Sequence, residues 1–281
     1  MTSGDAHRLP DPARDPLPLR GRAALVTGAS RRDGIGFATA RRLSAYGASV
    51  MVHHFLPHDA EMPWGTDDLD AVLDALREVR GDPEATVAHV SADMADPGAP
   101  ARVVDAAFAE FGRLDVLVSN HARNGGDAGL ADVTPEMLDG HWAVDARSAI
   151  LLAQAFAARR ATAHADPRNP AGRLVLMTSG QMHGGMPGEI AYVAAKGAIA
   201  QLAPTLAAEL GPRGITANVV DPGPVPTGYM SEDDIAAVTP QFALGRMAAT
   251  DDPARLVAWL ATDEASWVTG QVISADGGFS V

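Results

Sequence analysis

Seven short runs of aliphatic and β-branched residues, each followed by a longer alanine-rich stretch, constrain this chain more than any other feature. The runs are AALVTG (23–28), ASVMVH (48–53), ATVAHVS (85–91), LDVLVS (114–119), RLVLMTS (173–179), ITANVV (215–220) and QVISAD (271–276). Most are continuously apolar, as strands are when helices cover both faces of a parallel sheet. Helices are expected between them at Gly36–Tyr46, Thr66–Arg80, Ala99–Phe111, Thr134–Ala161, Ile190–Leu210 and Pro253–Thr262. No linker-like break divides the alternation, so it predicts one doubly wound α/β domain over 21–281. Three stretches look inserted: 54–67, 163–171, and 224–245, the last a candidate substrate lid. Residues 1–20 carry four prolines and mixed charges without an apolar core, and are expected to form a disordered extension.

Composition removes several function classes. A net charge of −13 speaks against nucleic acid or an anionic membrane as a partner, since both need a concentrated basic surface. No run of 18 uninterrupted apolar residues suggests a membrane span, and the start lacks a secretory core, which makes the cytoplasm the expected location. The absence of cysteine excludes disulfides, thiolate metal sites and a cysteine nucleophile.

The first strand runs into TGASRRDGIG, a glycine-rich strand-to-helix turn of the Rossmann type. Such a turn lets backbone approach a pyrophosphate at a helix N-terminus. Gly28 would make the turn, Gly34 the close approach and Gly36 the tight helix packing. At the end of the second strand, where a carboxylate commonly selects NAD through the ribose 2′-hydroxyl, the chain carries His53 and His54. Arg31 and Arg32 supply positive charge in the loop itself. Together these favour NADP(H) over NAD(H), with the alternatives that the arginines are solvated and that Asp59 or Glu61 folds back onto the ribose.

This loop resembles that of the short-chain dehydrogenase/reductases, with two residues added between the first and second glycines. The resemblance extends from Arg22 to Gly278: LDVLVSNHA, VVDPGPVPT and the C-terminal GRMAATDDPARLVAWLATDEASWVTGQVISADGG are similar to family stretches. The overall likeness is strongest to β-ketoacyl-(acyl carrier protein) reductases. It implies a homotetramer, and cofactor contacts from Ser30, Ile35, His54, Asp93, Met94, Asn120, His121, Ala122, Pro222, Gly223, Val225 and Thr227.

The chain's only lysine, Lys196, lies four residues after Tyr192, so the two share a helix face. An ammonium beside a phenol favours the phenolate, and a downward shift of about 2–3 units would make it a usable acid/base near neutrality. Ser179 ends a predicted strand thirteen residues before Tyr192. By resemblance Ser179 would bind a substrate carbonyl oxygen, Tyr192 would donate its proton, and Lys196 would tune Tyr192 and hold the nicotinamide ribose. Enoyl-thioester reductases place the lysine seven residues after the tyrosine, where this chain has Ile199.

Two departures stand out. Asp145 occupies the position of the family's usual relay asparagine and adds a charge near Lys196, and SNHA replaces NNAG, so His121 and Ala122 add bulk beside the cofactor. They support a rival reading, a catalytically weak NADP(H)-binding sensor or scaffold. The three histidines of HHFLPHDAEMPWGTDD (53–68) are read as part of a surface loop near the adenine end and not as a metal site. At the substrate end, Met182, Met186, Tyr229 and Met230 suggest a flexible apolar pocket, with Gln181, His183 and His121 as polar contacts. A small ketone or a 3-oxoacyl thioester would fit. Arg213 falls where related reductases can carry a docking arginine for an acyl carrier protein, a partner that the net charge disfavours.

Overall fold

The computed structural model describes residues 15–160 and 171–281. Seven parallel strands form one sheet: β1 (Ala23–Thr27), β2 (Ser49–His54), β3 (Val87–Ser91), β4 (Val116–Ser119), β5 (Gly172–Met177), β6 (Ile215–Asp221) and β7 (Val272–Ser274). Their order is β3-β2-β1-β4-β5-β6-β7. All seven expected strands are present, in a seven-stranded parallel sheet flanked by helices.

Side-chain alternation explains the unbroken apolar runs. Ala24 and Val26 of β1, Val50 and Val52 of β2, and Val116 and Val118 of β4 enter one core. It also takes in residues of α1 (Ile35–Ala45), α3 (Leu69–Glu78) and α9 (Asp251–Leu260). Leu25, Met51 and Leu117 point through the other face into a second core. That core contains residues of α4 (Ala99–Phe111), α6 (Ser148–Arg160) and α7 (Ile190–Leu210). The central strands β1, β2, β4, β5 and β6 therefore bury both of their faces, whereas the edge strands β3 and β7 are only partly buried.

The helix expected over 134–161 is interrupted. It comprises α5 (Pro135–His141), a π turn at Trp142–Arg147, and α6. The Val144 carbonyl accepts from the Ser148 hydroxyl and faces His121 Nε2 at 3.0 Å. Side chains thus compete for a carbonyl of the helical ladder, a known route to a local π turn. Two short helices lie in the inserted stretches: α2 (Leu56–Glu61) and α8 (Glu232–Val238), the latter started by a Ser231–Asp234 capping box.

The residues of the amino-terminal extension just before Gly21, expected to be disordered, are packed on the fold. Leu19 is fully buried and its N–H donates to the Tyr46 carbonyl at 3.0 Å, so order begins before Gly21. Residues 1–14 of that extension, Ala161 of the expected helix and 163–170 of the expected insertion lie outside the described residues. By length and composition α7 would suit a membrane, yet Lys196 at its first third is buried against β5 and the helix packs on β6.

Candidate active site

The carboxyl ends of the strands open into a cleft of about 1110 Å³, the ligand crevice of an open α/β sheet. One end is walled by the turn after β1. Gly28 has φ +67°, and a Cβ there would lie 2.6 Å from the His121 Cα. A Cβ at Gly36 would lie 2.2 Å from the Gly28 carbonyl oxygen. These two positions therefore exclude any side chain and let α1 start directly under the turn. Gly34 caps α1 without a side-chain bond, so the helix offers its first-turn N–H groups and positive dipole end to the cleft. Gly28, Ser30, Arg31, Gly34 and Ile35 line the cleft. Gly36 sits beneath it, packed on Gly28 and on the Asn120 amide.

The two arginines of the loop part company. Arg31 reaches across the cleft mouth: its guanidinium donates to the Thr227 carbonyl at 2.7 Å, lies 4.9 Å from the Trp64 ring centre and is 3.8 Å from Asp59. Arg32 turns out of the cleft into a two-pronged bond with Asp67, both contacts at 2.8 Å. Its expected phosphate role is corrected accordingly, because an adjacent carboxylate already satisfies the guanidinium. Asp59 of α2 accepts from the Ser30 hydroxyl at 2.6 Å, so the insertion does fold back onto the phosphate loop. The insertion lines the cleft through Pro57, His58, Asp59, Glu61, Met62 and Trp64.

His53 and His54 also divide, because successive strand residues face opposite ways. His54 leaves the cleft and meets His89 of β3, 3.1 Å between ring nitrogens, which corrects its expected cofactor contact. His53, not expected there, lines the cleft instead. The Gly28 N–H donates to its Nδ1 at 3.3 Å and its Nε2–H donates to the Ala92 carbonyl at 2.9 Å. Burial pushes this imidazole down to about 4, so it stays neutral and ties the glycine turn to the sheet.

Asp93, Met94, Asn120, His121, Ala122, Pro222, Gly223, Val225 and Thr227 all line the cleft. Asn120 works within the wall: its amide donates to the Thr27 and Gly28 carbonyls at 3.1 and 3.0 Å. Both ring nitrogens of His121 are spent on protein groups, Nδ1 on the Thr27 hydroxyl at 2.7 Å and Nε2 on Val144 and Ser148. Its expected contact with substrate is thereby removed. Burial, with His53 and Lys196 nearby, holds it well below its ordinary value.

Ser179, Tyr192 and Lys196 meet on the opposite wall. Lys196 Nζ lies 5.7 Å from the Tyr192 ring centre and donates to the Met177 carbonyl at 3.2 Å. Burial lowers the lysine from its ordinary value, while the Asp145 charge opposes that. The phenol differs from expectation. Burial raises Tyr192 well above its usual range and the Asp145 and Glu189 carboxylates add to this, while the Ser179 hydroxyl pulls it down. Desolvation of the phenolate outweighs the pull of Ser179, so the resting hydroxyl carries its proton.

A residue that sequence reasoning missed sets the start of the helix carrying this phenol. Asp127 accepts N–H bonds from Ala128, Ala191 and Tyr192 at 2.7, 3.0 and 2.8 Å. Asp145 lies behind the cleft wall instead of on it, bonded to the Arg123 N–H at 2.6 Å and facing His141 Nδ1 at 2.9 Å.

At the substrate end Met186 and Tyr229 line the cleft, joined by Glu189. Gln181, Met182, His183 and Met230 do not. Gln181 donates to the Thr178 hydroxyl at 3.0 Å, and His183 turns to Ser274 and Asp221 at 3.0 and 3.4 Å. Met182 is an exposed side chain on the following turn.

The glycine turn under an uncapped helix end, and a buried ammonium with N–H groups to spare, fit a nicotinamide dinucleotide. Comparison with known proteins agrees. The family model described as enoyl-(acyl carrier protein) reductase matches residues 28–280. The oxidoreductase YjdA of Bacillus subtilis (strain 168) is 36% identical over 256 residues, 91% of this chain and 96% of that protein. An NADPH-dependent aldehyde reductase-like protein of Arabidopsis thaliana, chloroplastic by name, is 32% identical over 284 residues, 95% of this chain and 97% of its own. Among solved structures, a short-chain dehydrogenase/reductase from Serratia marcescens BCRC 10948 superposes with TM-score 0.78 at 32% identity, covering 94% of this chain and 100% of that one. A glycine turn, a seven-stranded sheet and a relative matched along almost its entire length lead to one conclusion: the chain belongs to the short-chain dehydrogenase/reductase family and is an oxidoreductase.

Proposed function

We propose that this protein is an NADP(H)-dependent carbonyl reductase that converts a ketone or aldehyde to an alcohol, with Ser179, Tyr192 and Lys196 at its centre. The observation that carries this reading is the convergence of those three side chains on one cleft with the glycine turn. Bound NADPH supplies the hydride to the carbonyl carbon. The protein's residues do the rest. Ser179 donates a hydrogen bond to the carbonyl oxygen, and the protonated Tyr192 hydroxyl delivers a proton to that oxygen as negative charge develops on it. Lys196 faces the phenolate left behind and offers its remaining N–H groups to the nicotinamide ribose. The same groups run the reverse oxidation, with Tyr192 taking the proton back.

Arg31 in the cleft and the lack of a carboxylate at the end of β2 support NADP(H). A small carbonyl compound suits the mixed lining of Met186, Tyr229 and Glu189 better than an acidic carrier protein does. The test is NADPH oxidation, followed by absorbance, against small ketones, aldehydes and 3-oxoacyl thioesters. Turnover on at least one class is expected. Tight NADPH binding with no turnover on any would favour a sensor, the reading that the buried Asp145 carboxylate otherwise supports.

A further inference from the structure

The asparagine-to-aspartate departure places a carboxylate where water does not reach: the Asp145 side chain is 0% exposed. An isolated buried carboxylate is costly, and this one bears directly on the reacting groups. Its negative charge makes the Tyr192 phenol harder to ionise and draws on the Lys196 ammonium as a counter-ion. Left alone, it would oppose the proton transfer assigned to Tyr192.

It is not left alone. The His141 ring, 2% exposed, lies one helical turn before Asp145. Its Nδ1 is 2.9 Å from Asp145 Oδ2, and its Nε2 is 3.2 Å from the Gly125 carbonyl and 3.9 Å from the Asp127 carboxylate. The other ring face meets Tyr192, with centroids 6.0 Å apart at 82°. Glu189, at the start of α7, also interacts with this ring, and the Arg123 guanidinium packs against the neighbouring Gly140. Every polar atom within hydrogen-bond reach of the two nitrogens is an acceptor. With the Asp145 carboxyl ionised, a neutral imidazole has one N–H and would turn a lone pair toward an acceptor, whereas a ring with two N–H groups satisfies both sides.

We propose that His141 is a positioning residue that carries the counter-charge of Asp145, leaving the Lys196 ammonium to act on Tyr192 and the cofactor ribose. The proposal rests on the reductase reading for its catalytic consequence, but the charge pair itself does not. Two readouts keep the two apart. In protein labelled with 15N-histidine, the His141 ring, assigned by its loss in His141→Gln, should show two N–H groups at neutral pH and one in Asp145→Asn. This measurement on the unaltered protein needs no turnover. In steady-state reduction, His141→Gln should lower kcat by about tenfold or more, the effect of shifting the phenol by one unit. Adding Asp145→Asn to that variant should restore most of the lost rate, because no charge then remains to be balanced. A role in packing alone predicts a double variant no faster than His141→Gln. Either that result, or a ring with a single N–H in the unaltered protein, overturns the proposal. A doubly protonated ring in a protein with no turnover would sustain the charge pair and sink the reductase reading instead.

Discussion

The Asp127 carboxylate accepts the backbone N–H of Tyr192 at 2.8 Å, and so the loop after β4 fixes where the helix bearing the phenol begins. Burial alone would raise this carboxyl; its backbone N–H donors at 128, 191 and 192 outweigh that and hold it below the usual range. Replacing Asp127 by alanine frees the first-turn donors of α7, a loss worth about 1–2 kcal/mol of stability for a helix cap. A reduced denaturant midpoint is expected, together with a larger loss in kcat than in NADPH affinity. Asp127→Asn should recover part of both, since an amide oxygen still accepts. An alanine variant as stable as the parent would refute the capping role.

The proposed preference for NADP(H) is assigned to Arg31, whose neighbour Asp59 lies 3.8 Å away. A 2′-phosphate would compete with the carboxylate for the guanidinium. Arg31→Ala should therefore lower the preference for NADPH over NADH by about tenfold or more, the range of a charge-assisted hydrogen bond. Asp59→Asn should raise it, by removing a repelling charge. Dissociation constants of both cofactors for the three proteins decide the matter, and a parent that prefers NADH would overturn the assignment.

Stability should fall in mild acid. The folded His53 titrates at about 4, below the ordinary 6.5 of an unfolded chain. Above pH 6.5 both states are neutral there and the full stability is present. Between 6.5 and 4 the unfolded state takes up the proton first, so stability declines as pH falls, by up to roughly 3 kcal/mol. Urea midpoints at pH 7 and pH 5 measure this. His53→Gln should flatten the decline over that window; an unchanged slope would place its origin elsewhere.

The central strands were legible because they are buried on both faces and read as largely apolar runs, as Ala23–Thr27 does. The convergence of Ser179, Tyr192 and Lys196 on one cleft was legible because helical periodicity sets Tyr192 and Lys196 on one face, and Ser179 lies just past the end of β5. What escaped depends on distances that local patterns do not encode. His53 and His54 are adjacent in sequence, and only the strand's register assigned the first to the cleft. Arg32 found a carboxylate 35 residues away. The π turn arises where His121 and Ser148 compete for the Val144 carbonyl, a meeting of two separate segments. His141 gave no signal beyond its i, i+4 spacing to Asp145, which becomes informative only once both are known to be buried.

The chemistry is tested most directly by single-turnover hydride transfer from bound NADPH in the parent protein and in Tyr192→Phe. Removing the hydroxyl should slow reduction by about 10²–10⁴-fold, the usual contribution of a general acid. NADPH affinity should change little, because Lys196 and the glycine turn remain. A phenylalanine variant that transfers hydride at the parent rate would show that the proton comes from another group.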